Sequence, residues 1–491
     1  MASGSTVAKN TLFLTIGSVV QKLLAFVYFT LLARHFLPPE DVGKYLYALS
    51  YVALFSVIVD FGMQPALIRE IAKDKSRTAS IVSNALGIKT IMALGTAAVM
   101  LLVVRVTEND PIKIALISIA AITIILDSAQ LTFYAVLRGY ERLNFEAVGV
   151  LIGQVVTVTT GALILIFHQP LPYLMFSFVA GSLWNAGYSW TRAKKISGSS
   201  FRIARNLTVW IELFKLSIPF AIAAIFVRIY SSADTVLLNR LAGNEAAAFY
   251  GVPFKFVFAF QFVPIALAAA LYPSFARVIN EDKKRTGELF VSAERYLMLI
   301  VFPLIAGMIV LAKPIIVAFY RVQYLPSVPI MMLLAWCLIP AFLDFPVGAL
   351  LNAGHRQNTQ TALMGITMVV GVVLNLILIP VYGAMGSAAA ALIGNSILFI
   401  GGLFFVAKLV DIPWKKLLAS LTRIGVSSIV MAIIVGFASS YISVYLSIVL
   451  GVLSYLGTLF LTREVGRREV IRLRELVAAP SPEVKIIDNQ S

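Results

Sequence analysis

The sequence predicts an all-α polytopic membrane protein of about fourteen spans, the first twelve forming two related six-helix halves. Three observations carry that expectation. The first is composition: 59% of the 491 residues are hydrophobic and 13% charged, against roughly 45–50% and about 25% in soluble domains. The second is pattern. Apolar runs recur from one end of the chain to the other, each long enough to cross a hydrocarbon core of roughly 30 Å. The third is an internal repeat: Arg69–Thr78 (REIAKDKSRT) is echoed by Arg277–Thr286 (RVINEDKKRT).

In chain order the spans fall at 10–33, 43–66, 80–104, 111–137, 146–168, 171–191, 212–239, 246–273, 288–312, 327–351, 358–380, 384–408, 416–438 and 441–462. No stretch between them is long enough to fold as a soluble domain. The first run is too long, and too closely followed by another, to read as a cleavable signal. Lys and Arg in the loops set the orientation. Alternate loops hold Arg69 to Arg77, Arg138 and Arg142, Arg192 to Arg205, Arg277 to Arg285, Arg356, and Lys408 to Lys416. The loops between them hold few: Arg34, Lys44, Arg105, Lys113, Arg240, Lys313 and Arg321. Both termini are therefore expected in the cytoplasm of a cell membrane, which requires an even number of spans. The net charge of +16 reads as this asymmetry and not as a nucleic-acid footprint. The tail from Arg463 to Glu475 (REVGRREVIRLRE) is a basic amphipathic stretch, expected to anchor at the lipid surface.

The repeat extends beyond one segment. Pro65 aligns with Pro273. Leu31, Leu32, Arg34, Glu40 and Tyr45 match Leu237, Leu238, Arg240, Glu245 and Tyr250. LRGYERLNF (137–145) lies against LNAGHRQNT (351–359). Spans 1–6 thus correspond to spans 7–12, and an even offset points both halves the same way. The expected division is 1–205, 206–410, an appended pair at 411–462, and a basic cytoplasmic tail at 463–491.

Catalytic and metal chemistry find no support. Cys337 stands alone in an apolar run, as a small hydrophobe does. His35, His168 and His355 lie in three separate loops with no ligand spacing among them. No nucleotide or nucleophile motif is present, so the reading is a transporter without a bound cofactor, neither an enzyme nor driven by ATP at this chain.

Five segments carry a family resemblance: KNTLFLTIGSVVQKLLAFVYFTLLARHFLPPEDVGKY (9–45), VDFGMQPALIREIA (59–72), FVPIALAAALYPSFAR (262–277), LLNAGHRQN (350–358) and LNLILIPVYGAMGSAAAALIGNS (374–396). With the repeat, the chain resembles the polysaccharide-transporter (Wzx-type flippase) branch of the MOP (multidrug/oligosaccharidyl-lipid/polysaccharide) exporter superfamily. The resemblance implies a V-shaped two-lobed bundle that moves a lipid-linked saccharide to the outer leaflet, alongside polysaccharide-assembly membrane proteins. It also suggests a groove for the isoprenoid tail on spans 13 and 14.

Ionisable residues inside spans are costly and mark candidate sites. Lys22 in span 1 and Arg228 in span 7 are paired by the repeat, one cation per half. With Lys255 in span 8 they suit a di-anion such as a pyrophosphate, a guanidinium supplying a fork and an ammonium a point charge. Asp127 and Asp344 occupy the equivalent spans 4 and 10. They serve either as counter-ions to Lys22 and Arg228 or as proton carriers. Asp60 reads as structural. Asp234 and Asn375 match positions that, in the lipid II flippase branch, contribute to a sodium site; the second acid of that pattern is absent, with Leu378 and Ile379 in its place. Prolines 219, 253, 264, 303, 314, 340 and 346 permit kinks in the second half.

The leading function is translocation of a polyprenyl-pyrophosphate oligosaccharide by alternating access, coupled to Na+, H+ or membrane potential. A lipid II flippase shares these charges. A cationic-drug antiporter needs acids and not paired cations, and a glycosyltransferase or polymerase needs larger outer loops.

Overall fold

The computed structural model describes residues 4–279 and 281–464. It contains no strand among them. Its helices are α1 (Gly4–Leu31), α2 (Pro39–Asp60), α3 (Met63–Lys73), α4 (Thr78–Thr107), α5 (Pro111–Gly139), α6 (Leu143–Ile166), α7 (Met175–Ser197), α8 (Leu207–Ala242) and α9 (Asn244–Phe258). They continue as α10 (Phe262–Val278), α11 (Lys283–Val310), α12 (Ala312–Tyr320), α13 (Ser327–Ala353), α14 (Gln357–Tyr382), α15 (Ala384–Leu409), α16 (Trp414–Ala438) and α17 (Val444–Leu461). Thirteen stretches among the described residues are long and apolar enough to cross a membrane, and they match thirteen of the fourteen expected spans. The remaining one is α7, a continuous 23-residue helix whose Asn185, Thr191 and Arg192 dilute its apolarity. It still packs against α5 and α6.

Local chemistry explains where helices break. The expected span 43–66 is two helices, because Phe61 and Gly62 take left-handed φ of 41° and 64°. A Cβ at Gly62 would strike the backbone of Phe220 and Ala221, so α3 and α8 touch main chain to main chain. The expected span 246–273 is also two helices, joined by a 3-10 turn at Ala259–Gln261. Pro264 explains the break: it has no N–H and its ring crowds the carbonyl four residues back, but it is tolerated in the first turn of α10. Pro219 and Pro303 are absorbed inside continuous helices. The short α12 was not expected; it follows α11 directly, with Pro314 in its first turn. From residue 465 the basic tail lies outside the described residues.

In a bilayer, helices associate by close packing and buried polar contacts more than by hydrophobic transfer. Among the described residues three apolar clusters form. The largest unites both halves at the end carrying Arg34, Arg240 and Arg321, and includes Tyr45 and Tyr47 with Tyr250, Tyr320 and Tyr324. At the cation-rich end two separate clusters form. One holds Met63, Leu67, Ile71 and Tyr134 of the first half; the other holds Phe275, Phe290, Val347 and Leu350 of the second. The halves thus share one core at one end and have their own cores at the other. Helix α8 joins the two regions: Leu213 packs in the first-half cluster, and Val236 and Leu238 in the shared one. Helix α16 docks on α11, and α17 on α16.

Candidate functional site

Between these regions lies a cavity of about 700 Å³. Its walls come from the first half, with α8 closing one side. Side-chain amides line it from four helices: Gln64 on α3, Gln130 on α5, Gln154 on α6 and Asn185 on α7, joined by Gln21 of α1. Hydroxyls of Ser56, Ser128, Thr157, Ser182 and Ser231 add to them. Three charged groups reach it: Asp60, Asp127 and Arg228. An adjoining space of about 250 Å³ again has Asp127 and Arg228 in its wall, with Thr123 and Phe178.

The charges differ in how they are held. Asp60 accepts a 2.7 Å bond from Lys89 Nζ of α4. Lys89 is 1% exposed, so the pair is neutral overall and Asp60 is fixed in position. Lys89 was not singled out from the sequence, although it lies within span 3; an ionisable residue inside a span is the signal that marks it. Asp127 and Arg228 have no such neutralising contact: no ion pair within 4 Å joins either to an opposite charge among the described residues, yet both face the same space. Asn185 is oriented by Tyr134, whose hydroxyl donates to its Oδ1 at 2.8 Å, and it in turn donates to the Gly181 carbonyl at 3.2 Å.

The other sequence candidates are distributed differently. Lys22 is exposed and follows Gln21 on α1. Helical spacing puts it on the face that meets α9 one and two turns later, through Phe26 against Phe256 at 5.8 Å and Phe29 under Lys255. Lys255 is not in the cavity wall. Its ammonium stands 4.8 Å from the centre of the Phe29 ring, at the seam between α1 and α9. Asp344 is also elsewhere, on α13 against Gly402 of α15. Asp234 and Asn375 do come together, in a second-half pocket of about 290 Å³ that also contains Tyr230 and Asn395. Asp234 accepts from the Tyr250 hydroxyl at 2.6 Å and from Thr235 N at 2.7 Å. Asn375 Oδ1 accepts from Ser387 at 2.9 Å. Hard cations take about six oxygens. Two oxygen-bearing groups already engaged in hydrogen bonds do not by themselves make a sodium cage, and no cluster of three or more His, Cys, Asp or Glu side chains exists among the described residues.

The cavity is closed at the shared-core end by polar contacts between the halves, which the sequence did not reveal. Arg240 Nε donates to Tyr47 Oη at 3.0 Å and its terminal nitrogen to Thr107 at 2.7 Å. Lys113 Nζ donates to Asn239 Oδ1 at 2.8 Å. Thr30 and Tyr320 hydroxyls bond at 3.2 Å, buried. A Cβ at Gly43 would collide with the Asn244 carbonyl, so α2 meets the start of α9 without a side chain between them.

The sequence pattern of the family described as polysaccharide biosynthesis protein matches residues 7–279, and that of the MatE family matches 219–377. The probable low-salt glycan biosynthesis flippase Agl15 of Haloferax volcanii is 22% identical over 483 residues, spanning 95% of this chain and 99% of that protein. The succinoglycan biosynthesis transport protein ExoT of Rhizobium meliloti is 24% identical over 68% of this chain and 66% of its own length. Among solved structures, lipid II flippase MurJ in an inward closed conformation superposes with a TM-score of 0.77 at 16% identity, covering 95% of this chain and all of that one.

Proposed function

The chain belongs to the polysaccharide biosynthesis protein family of the MOP exporter superfamily, and from that premise we propose that it flips a polyprenyl-pyrophosphate-linked oligosaccharide across the cytoplasmic membrane by alternating access. Two of its relatives are named as a glycan biosynthesis flippase and a succinoglycan transport protein, which favours a lipid-linked saccharide as cargo. One observation carries the reading at the residue level: the cavity of about 700 Å³ is lined by five side-chain amides with a single guanidinium. Amides both donate and accept, as sugar hydroxyls require, and Arg228 offers the planar fork that suits a phosphate. Lys22, exposed beside that wall, supplies a second cation as the lobes rock, and Lys255 a third at the seam. Asp127, which shares that space with Arg228 without pairing to it, is the acid available to balance the guanidinium at another stage of the cycle.

In this cycle the headgroup enters from the cation-rich, cytoplasmic end, where the halves have separate cores. The contacts of Arg240, Lys113 and Thr30 then part, and the headgroup leaves while its tail stays in lipid. The protein performs no covalent chemistry. Asp234 and Asn375 remain the residues through which Na+ would act, and sodium-independent transport at fixed potential would rule that role out.

The test is headgroup translocation of a polyprenyl-pyrophosphate saccharide in proteoliposomes. Loss of a charge-assisted contact is worth about 1.5–3 kcal/mol, so Arg228→Ala is expected to slow translocation roughly tenfold to a hundredfold, and Lys22→Ala/Arg228→Ala further. Unchanged rates at matched incorporation would remove Arg228 from the substrate path. Transport of cationic drugs but of no saccharide by the wild type would overturn the reading as a whole.

A further inference from the structure

Glu294 of α11 lies outside all three cavities described above. Its side chain is 2% exposed, and neither carboxylate oxygen has a hydrogen-bond partner. An ionised carboxylate so placed, with no cation bonded to it among the described residues, would cost several kcal/mol. Across the α11–α13 contact stands Asp344, within electrostatic reach of Glu294, and its Oδ1 is also buried and unpartnered. The depths match: at ~1.5 Å per residue each acid is roughly 14–16 Å from the cation-rich end of its helix. One turn along α13 from Asp344, Gln360 of α14 leaves its Oε1 buried and unpartnered as well. Buried carboxylate and amide oxygens on three helices thus stand without a donor in this conformation.

Among the described residues, no neighbouring element supplies the missing positive charge. Arg423 of α16 turns to Glu464, which Arg295 also holds. On α17, the Tyr455 hydroxyl donates to the Leu299 carbonyl. Tyr272 and Arg277 of α10 are exposed, and Lys313 of α12 is at the far end of α11. Against α13, Lys408 of α15 lies over the Phe404 ring, Tyr250 of α9 is bound to Asp234, and Lys255 of α9 stands over Phe29. Tyr230 of α8 and Cys337 of α13 are the remaining titratable groups nearby, and neither a phenol nor a thiol can supply a positive charge.

We propose that Glu294 and Asp344 form a proton-carrying carboxylate pair, a coupling site in the second half separate from the headgroup cavity. One proton converts a carboxylate oxygen of Glu294 into an O–H that donates to Asp344 Oδ1, satisfying two orphaned groups at once. Release of that proton would leave two negative charges facing each other in an apolar layer, so α11 and α13 must move apart or admit water. That obligation links protonation to the rocking of the second half. Proton coupling rests on the flippase reading, whereas proton binding does not.

The experiment has two arms, chosen so that the two readings fail separately. Infrared difference spectra of the reconstituted wild-type protein, recorded between neutral and alkaline pH with no substrate present, read the C=O stretch of a protonated carboxyl. We expect a band that vanishes in Glu294→Gln and shifts in Asp344→Asn. An identical band in both variants and the wild type overturns the site whatever the protein transports. In the second arm a one-unit pH gradient biases a one-proton cycle about tenfold. The wild type should accumulate headgroup in one leaflet by about that factor, and Glu294→Gln, which resembles the protonated acid in shape, should equilibrate the leaflets without bias. Accumulation that survives in Glu294→Gln, or that follows a Na+ gradient in place of pH, refutes the coupling role.

Discussion

Arg228 reaches the cavity from α8, which belongs by sequence to the second half, while the groups it faces belong to the first. Its value as a cation depends on Asp60 being neutralised elsewhere, and Lys89 does this through a 2.7 Å bond. The pair yields a stability prediction. Removing one partner of a buried ion pair costs about 3–5 kcal/mol, and Asp60 is partly open to the cavity, so Lys89→Met should fall near the lower bound. The unfolding midpoint in detergent should drop, and Lys89→Met/Asp60→Asn should recover most of the loss, since the uncompensated charge is gone. If the single variant melts like the wild type, the pair contributes no stability.

One helix break borders the cavity and the other borders the second-half pocket. Where α3 meets α8, Gly62 combines a left-handed φ with main-chain contact. Gly62→Ala adds backbone strain of about 1–3 kcal/mol and forces α8 outward; folded yield in detergent should fall, and a wild-type yield with an unchanged melting temperature would show that the contact is loose. At the other break, Pro264 separates α9 from α10. Pro264→Ala permits the helix to run through 259–261 and should leave folding intact while slowing headgroup release, measured as rate against folded fraction. A substitution that speeds release would mean the break obstructs the cycle.

At the scale of the molecule, one core is shared at one end and two are separate at the other, so this conformation is closed by the contacts around Arg240 and Tyr47. Arg240→Ala deletes two of them. Because Arg240 is exposed, screening lowers the worth of each bond, and a net loss of about 1.4 kcal/mol would shift the open-to-closed ratio about tenfold. Spin labels at Arg105 and Leu241, on the two sides of that closure, should show a longer distance population in the variant. Identical distributions would place the closing energy in the tyrosine core.

Span positions, loop charge asymmetry and the family were legible in the sequence because each is a local, one-dimensional property: apolar run length, Lys and Arg count, and residues quoted in order. The breaks at Phe61–Gly62 and at 259–261 were less legible, since an apolar run does not report a change of direction within it. The partners were not legible at all. Whether Asp127 shares a space with Arg228, whether Lys255 turns to the cavity or to Phe29, and whether Asp344 finds Lys22 or Glu294 depends on helix rotation and tilt. Packing against neighbouring helices sets both, and those neighbours lie up to hundreds of residues away in the chain. The sequence therefore determined which charges enter the membrane, and the tertiary structure decided which of them meet.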